Sequence, residues 1–429
     1  MSVRTPERRS SPLTAFRSYN FRLFFVGQLV SQAGSWMQKV GQAWLVLELT
    51  HSPFALGTVV SLQALPILCG TLFAGVIVDR VPKHRLLLIT QSAALVQASI
   101  LAWLTVSGTI QLWQLYILAP ILGVINAFDN PSRLAFLMEL VGRDKVVNAI
   151  GLSSAVENGA RLLGPAFAGL VIALWGVGVC FALNAASFLA VLAALLCMRR
   201  GDFQALPVLE RDGRRILGQL GEGLRFVFGI RDLVTVLIVL AGIGCFGFNF
   251  NTIVPLLAEE GLHLGADGFG LLMSAVGTGA VIGAVVVASL KAPTHKRILI
   301  AGFAFGLVEF SLSRTPVFAA AFVQLAMMSF CGMLFSSSSN SMLQLGVPNE
   351  LRGRVMGLYT MAMAGTSPIG ALLTGTLTSA FGIRTTLASW GSVCAFAALC
   401  ALAYKLHGRG RPPRLVPAPE PLPAASQPL

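Results

Sequence analysis

The stretch "AVENGARLLGPAFAGLVIALW", residues 155–175, is apolar enough to enter a bilayer, yet it holds Glu157 and Arg161 four residues apart and a Gly164-Pro165 step. A lone segment in hydrocarbon has to be helical, because only then are its backbone groups paired internally. A charge near the middle of such a helix costs about 2.5–3.5 kcal/mol on insertion scales. Two readings account for it. The order Glu then Arg at i, i+4 lets the two side chains form a structural ion pair. Alternatively the helix borders a water-filled cavity, in which Arg161 meets an anionic or polar cargo and Glu157 is a protonation site. Pro165 removes one helical hydrogen bond and sets a bend. Gly164 and Gly169 let a neighbouring helix approach closely.

The rest of the chain has the same character. Of 429 residues, 55% are hydrophobic and 11% charged, where soluble domains carry roughly 25% charged residues. Apolar segments fall near 22–48, 54–78, 86–106, 113–134, 149–173, 177–198, 232–257, 267–290, 298–313, 316–343, 355–379 and 384–406. These are twelve predicted transmembrane helices, six on each side of a polar break. The expected organisation is an N-terminal tail 1–21, a six-helix bundle 22–198, a linker 199–231, a second bundle 232–406 and a Pro-rich tail 407–429. Within the linker, "LGQLGEGLRFVF" can form a helix on the membrane surface.

The net charge of +13 does not point to nucleic acid. With alternating spans, 27 of the 31 Lys and Arg fall on one side, which is the positive-inside pattern and places both termini in the cytoplasm. The expected location is a bacterial inner membrane. All seven cysteines lie in apolar spans without metal-ligand or disulfide spacing and read as small core residues. No Walker-type phosphate loop, nucleophile with an organised base, or His/Cys metal cluster appears. A cofactor, a metal and an enzymatic activity are therefore not expected.

The two halves repeat. An offset of 206 residues superposes Gly151 on Gly357, Gly164 on Gly370, Gly169 on Gly375 and Gly176 on Gly382. "RVPKHRLLLI" (80–89) is echoed by "KAPTHKRILI" (291–300). Parallel repeats related by an axis along the membrane normal are one of the patterns of secondary transporters, with the ligand site between them near mid-membrane.

"GVIVDRVPKHR", residues 75–85, resembles the loop between the second and third helices of the major facilitator superfamily, with Pro82 where that family usually has Gly. "WMQKVGQAWLVLELTHSPFALG" (36–57), "AFDNPSRLAFLMELV" (127–141), "GPAFAG" (164–169) and "QLGVPNELRGRVMGL" (344–358) resemble its branch of enterobactin exporters and macrolide efflux pumps. The spacing from Gly151 through Ala160 and Gly164-Pro165 to Ala168-Gly169 is similar to the fifth-helix motif of drug and proton antiporters. This resemblance implies a major facilitator fold and export in exchange for protons. It also implies that Asp79 latches the halves on the cytoplasmic side, with Gly75 permitting close approach and Arg133 as its partner. Arg80 and Arg85 belong to this gate or merely fix topology. Asp129, four residues before Arg133, joins the gate or is a second proton site.

Gln32 and Lys39 share a face of the first helix with Gln28 and are expected to line the cavity. Asn340, within "SSSSNSMLQ", is expected to offer an amide contact. Glu259 and Glu309, near span ends, are expected to meet water. The function expected is export of a small amphipathic drug, siderophore or metabolite by a monomer in the lipid bilayer. An importer of the same fold and a non-transporting receptor are the alternatives.

Overall fold

The computed structural model describes residues 14–142, 144–204, 230–290, 292–347 and 349–407. The proposed surface helix of the linker and the Pro-rich tail lie outside these residues. The first six helices are α1 (Tyr19–Thr50), α2 (Pro53–Arg80), α3 (Lys83–Val106), α4 (Leu112–Val141), α5 (Val146–Trp175) and α6 (Val177–Leu196). α7 (231–261) is followed by α8 (Ala266–Ser289), α9 (His295–Leu312) and α10 (Phe318–Gly346). The run Asn349–His407 breaks at Gly382 (φ 79°, ψ 160°) into α11 (349–381) and α12 (383–407). Twelve helices thus stand among the described residues.

Local chemistry sets several of their ends. Ser18, Ser52 and Thr294 cap α1, α2 and α9, their hydroxyls accepting from the N–H of Phe21, Ala55 and Arg297 at 3.3 Å each, which satisfies otherwise orphaned donors. Gly176 and Gly382 make the equivalent turns of the two halves with φ of 82° and 79°, a left-handed conformation that favours glycine. Their shared geometry shows that the 206-residue repeat is structural.

Eight helical stretches are long and apolar enough to cross a bilayer, and the bent α7 makes a ninth. The run through Gly382 counts once in that number but crosses twice. α1 is diluted by its glutamines and Lys39, and α9 by Lys296, Arg297 and Glu309.

Neighbour relations repeat as well. α1 packs on α5 and α6, α2 on α4, and α3 on α4 and α6; α8 packs on α10, and α9 on α10 and α12. In the second half α7 touches α11 through Gly370 at the Cys245 carbonyl, and α12 through Gly242 at Ala397. The halves meet along two equivalent pairs, α5 with α8 and α2 with α11. At the first, a Cβ on Gly169 would lie 2.9 Å from Gly270 Cα; at the second, a Cβ on Gly57 would lie 3.0 Å from Gly375 Cα. Paired glycines therefore let both seams close backbone to backbone. Gly169 and Gly375 are themselves mates in the repeat.

α7 departs from regularity. π turns at Ile243–Gly247 and Leu257–Gly261 interrupt it, and its two parts are bent by 40°. The Asn249 side chain donates to the Cys245 carbonyl at 2.6 Å, partnering a backbone group at the π turn.

Two expectations need correction. Glu309 does not meet water: it has 0% exposure inside the second bundle, because Gly306 and Gly391 bring α9 and α12 together around it. Cys69 and Cys197 are exposed, whereas Cys180, Cys331 and Cys394 are buried.

Candidate functional site

Both seams lie toward the face opposite the linker. There the His51 ring contacts Glu259 at 2.8 Å, the Phe54 N–H donates to Ser379 Oγ at 3.0 Å, and Trp44 stacks on Phe269 with centroids 5.8 Å apart. Toward the linker face the described residues show no matching contact: a Cβ on Gly151 of α5, or on its repeat mate Gly357 of α11, would meet nothing within 4 Å. Among the described residues the halves are thus joined at one face, which outlines a wedge.

A cavity of about 340 Å³ lies inside this wedge. Its lining is polar and one-sided: Gln32, Lys39 and Gln42 from α1, Gln63 from α2, Asn126, Asp129, Asn130 and Arg133 from α4, Glu157 from α5 and Asn184 from α6. Asn251 and Ser367 are what the second half contributes. Asn126, Asp129, Asn130 and Arg133 fall at i, i+3, i+4 and i+7, one helical stripe.

Part of this polarity holds the bundle together. Gln38 Nε2 donates to Gln97 Oε1 at 3.1 Å, Asn184 Nδ2 donates to Gln38 Oε1, and Gln42 Nε2 donates to Gln63 Oε1 at 3.2 Å. Asp129 accepts from Thr90 Oγ1 and Gln91 Nε2, both at 2.8 Å, and pairs with Arg133. Asp129→Ala would leave Arg133 without its counter-charge. It is expected to destabilise the protein by about 3 kcal/mol, the low end for breaking a buried pair, because Arg133 keeps 21% of its side chain exposed. Denaturant unfolding in detergent measures this, with Asp129→Asn losing less.

Arg133 therefore has its carboxylate on its own helix. The side chain of Asp79 and the surroundings of Gly75 lie outside the described residues; both positions fall in the last two turns of α2. Arg80 and Arg85 are exposed at the α2–α3 turn. Asn340 accepts from Gln344 Nε2 at 2.6 Å on α10 and is not among the cavity's lining residues.

The charges of α5 do not form a contact ion pair. Among the described residues the ion pairs are Asp129–Arg133 and His51–Glu259. The Arg161 guanidinium lies 5.7 Å from the centroid of the Trp36 ring, and Lys39 Nζ lies 4.2 Å from the same ring. Two cations thus stand over one indole ring. Gly164 presses on the Trp36 Cβ, so the glycine of the opening motif sets where that ring stands. Pro165 has no N–H to give the Arg161 carbonyl, and Gly277 of α8 packs against that oxygen. Glu157 and Arg161 both have exposed side chains; Glu157 lines the cavity, whereas Arg161 is not among its lining residues, and Arg161, Glu157 and Arg133 are the charges that act on Lys39. The arrangement can attract and hold an anion at bilayer depth.

Sequence reasoning missed Gln63, Gln91, Asn126, Asn130, Asn184 and Asn251. The signal available was carboxamides recurring in apolar spans at helical spacing, as in the α4 stripe.

An all-helical membrane protein of two repeated six-helix halves around a polar cavity is a transporter of the major facilitator fold. The chain belongs to the transmembrane secretion effector family, whose model matches residues 10–411. It is similar to the staphyloferrin A transporter of Staphylococcus aureus, 27% identical over 86% of this chain and 92% of that protein. The multidrug efflux pump Tap of Mycobacterium tuberculosis is 26% identical over 85% and 88%, and the enterobactin exporter EntS of Escherichia coli 25% over 83% and 85%. Among solved structures, a bacterial homologue of the lysosomal transporter Spinster, in an inward-facing occupied conformation, superposes with a TM-score of 0.73 at 12% identity, covering 92% of this chain and 98% of that one. The likeness to that structure concerns the fold.

Proposed function

We propose that this transporter is a proton-driven exporter of a small amphipathic molecule, a siderophore, drug or metabolite, and that its cargo carries an anionic oxygen group. The linker face is then cytoplasmic and the cavity is open for loading. One observation carries the anionic preference: Lys39 and Arg161 converge on Trp36 beside the cavity with no carboxylate of the described residues within ion-pair distance. Unpaired cations at this depth are costly, and an anion entering the cavity offsets that cost. The carboxamides beside them both donate and accept, which suits hydroxyl, carbonyl and carboxylate oxygens. The relatives named as an efflux pump and as an enterobactin exporter support export over import.

The test begins with the culture medium. Cells with and without the protein are compared for secreted metabolites, and Arg161→Ala and Lys39→Ala are then tried against each solute that differs. Both variants are expected to cut export of an anionic solute roughly ten- to a hundredfold, the value of about 1.5–3 kcal/mol for a hydrogen bond to a charged group. Undiminished export of every anionic solute by both variants would refute the anion site. Accumulation inside the cells would instead make the protein an importer.

A further inference from the structure

Glu309 has no part in the cavity. It lies on α9, one turn before that helix ends at the closed face, with 0% exposure. Neither carboxyl oxygen has a hydrogen-bond partner. Cys394 of α12 is its titratable neighbour, and Cys245 of α7 stands next to Cys394. The Cys394 thiol donates to the Gly242 carbonyl at 3.7 Å and reaches the carboxyl only as a weak sulfur contact. On the α10 side, Gly332 packs against Phe248 and Phe305 and brings no charge. No cation among the described residues offsets an ionised Glu309.

An unpartnered buried carboxylate ion costs several kcal/mol after relaxation, whereas the neutral acid leaves only a polar group imperfectly paired. The same wall of the second bundle contains the π turn Ile243–Gly247 of α7. Such turns commonly mark functional sites because their ladder can shift by one residue. Gly247 meets the Phe305 ring and Gly244 meets Thr366 of α11, so movement of this turn is transmitted to both α9 and the seam helix α11.

We propose that Glu309 is a proton-binding site in the second bundle, loaded when the face opposite the linker is closed and hydrated when that face opens. This rests on the transporter reading but is separate from the proton role of Glu157. The reaction is acid–base alone: the carboxylate takes a proton from water at the open face, and the neutral acid can then be enclosed. Ionisation opposes closure.

The experiment uses the full chain in lipid with spin labels on Thr109→Cys and Arg314→Cys, exposed loop residues of the two halves at the closed face. Cys69, Cys197 and Cys400 are changed to serine, and Cys245 and Cys394 are kept. Interspin distances are measured from acid to alkaline buffer without cargo. The ratio of long to short distances is expected to rise toward alkaline buffer by up to about tenfold per pH unit, the limit for linkage to one carboxyl.

Glu309→Gln, which mimics the neutral acid, is expected to hold the short distance throughout. The His51–Glu259 contact also joins the halves at this face, so the response is measured in His51→Gln too, where it is expected to persist. A distance distribution that ignores pH in the labelled parent overturns the proposal without recourse to any Glu309 variant. So does a response that survives Glu309→Gln, or one that vanishes in His51→Gln. Since no cargo is present, absence of export in the metabolite comparison would sink the exporter reading without touching this outcome.

Discussion

Gly57→Leu is expected to reduce export to background while the protein still folds into the membrane. A Cβ at Gly57 would sit 2.5 Å from the Ala371 carbonyl oxygen and 3.3 Å from the Gly375 nitrogen. These are backbone atoms of α11 and cannot turn aside as a flexible side chain could. Overpacking of this kind costs about 1–3 kcal/mol, and the cost falls only on conformations in which α2 and α11 touch. It therefore acts as a bias on the open-to-closed ratio of roughly ten- to a hundredfold. Each bundle keeps its own core, so total protein in the membrane should change little. Two measurements check this: export of the solute found by metabolite comparison, and the interspin distance at the closed face, which should lengthen at every pH. Export at the parent rate would show that the glycine seam is incidental to the transport cycle.

Glu157→Gln is the second large effect. Glu157 lines the cavity and is the carboxylate whose charge acts on both Lys39 and Arg161. As an ion it lowers the local positive potential against which an anionic cargo is drawn; once protonated, it no longer does. On the proposed proton-driven reading, proton occupancy and cargo occupancy are thereby linked through Coulomb interaction. Removing the carboxylate is expected to abolish export driven by a proton gradient and to make residual flux independent of pH. Cargo binding should be kept or strengthened. Fold stability should change little, since Glu157 is exposed to the cavity and makes no contact ion pair. Flux in vesicles with and without an imposed gradient decides the matter, and an unchanged pH dependence removes Glu157 from the coupling step.

The number of helices, their approximate bounds and the repeat were legible in the sequence because hydrophobic run length and glycine spacing are one-dimensional quantities. The four glycine pairs at one offset carry through to matched φ angles at Gly176 and Gly382 and to the seam contacts of Gly169 and Gly375. The site was legible only in part. Lys39 and Glu157 stood out as charges in apolar runs and do line the cavity. Their partners did not, because whether Arg161 bonds Glu157 or turns toward Trp36 depends on rotamers and on where α1 stands beside α5. Gly164 decides that placement through three-dimensional packing. Glu309 was misread for a related reason. Its distance from a span end suggested water, whereas the Gly306 and Gly391 contacts that seal it come from helices far apart in sequence.

The unequal lining of the cavity separates two tasks that a duplicated ancestor would have shared. The polar lining is concentrated in one copy, so mutation can change the cavity there without disturbing the other. The second copy, released from recognition, is free to accumulate the broken helix and sealed acid that regular packing would otherwise select against. Its irregularities are the mark of that division of labour.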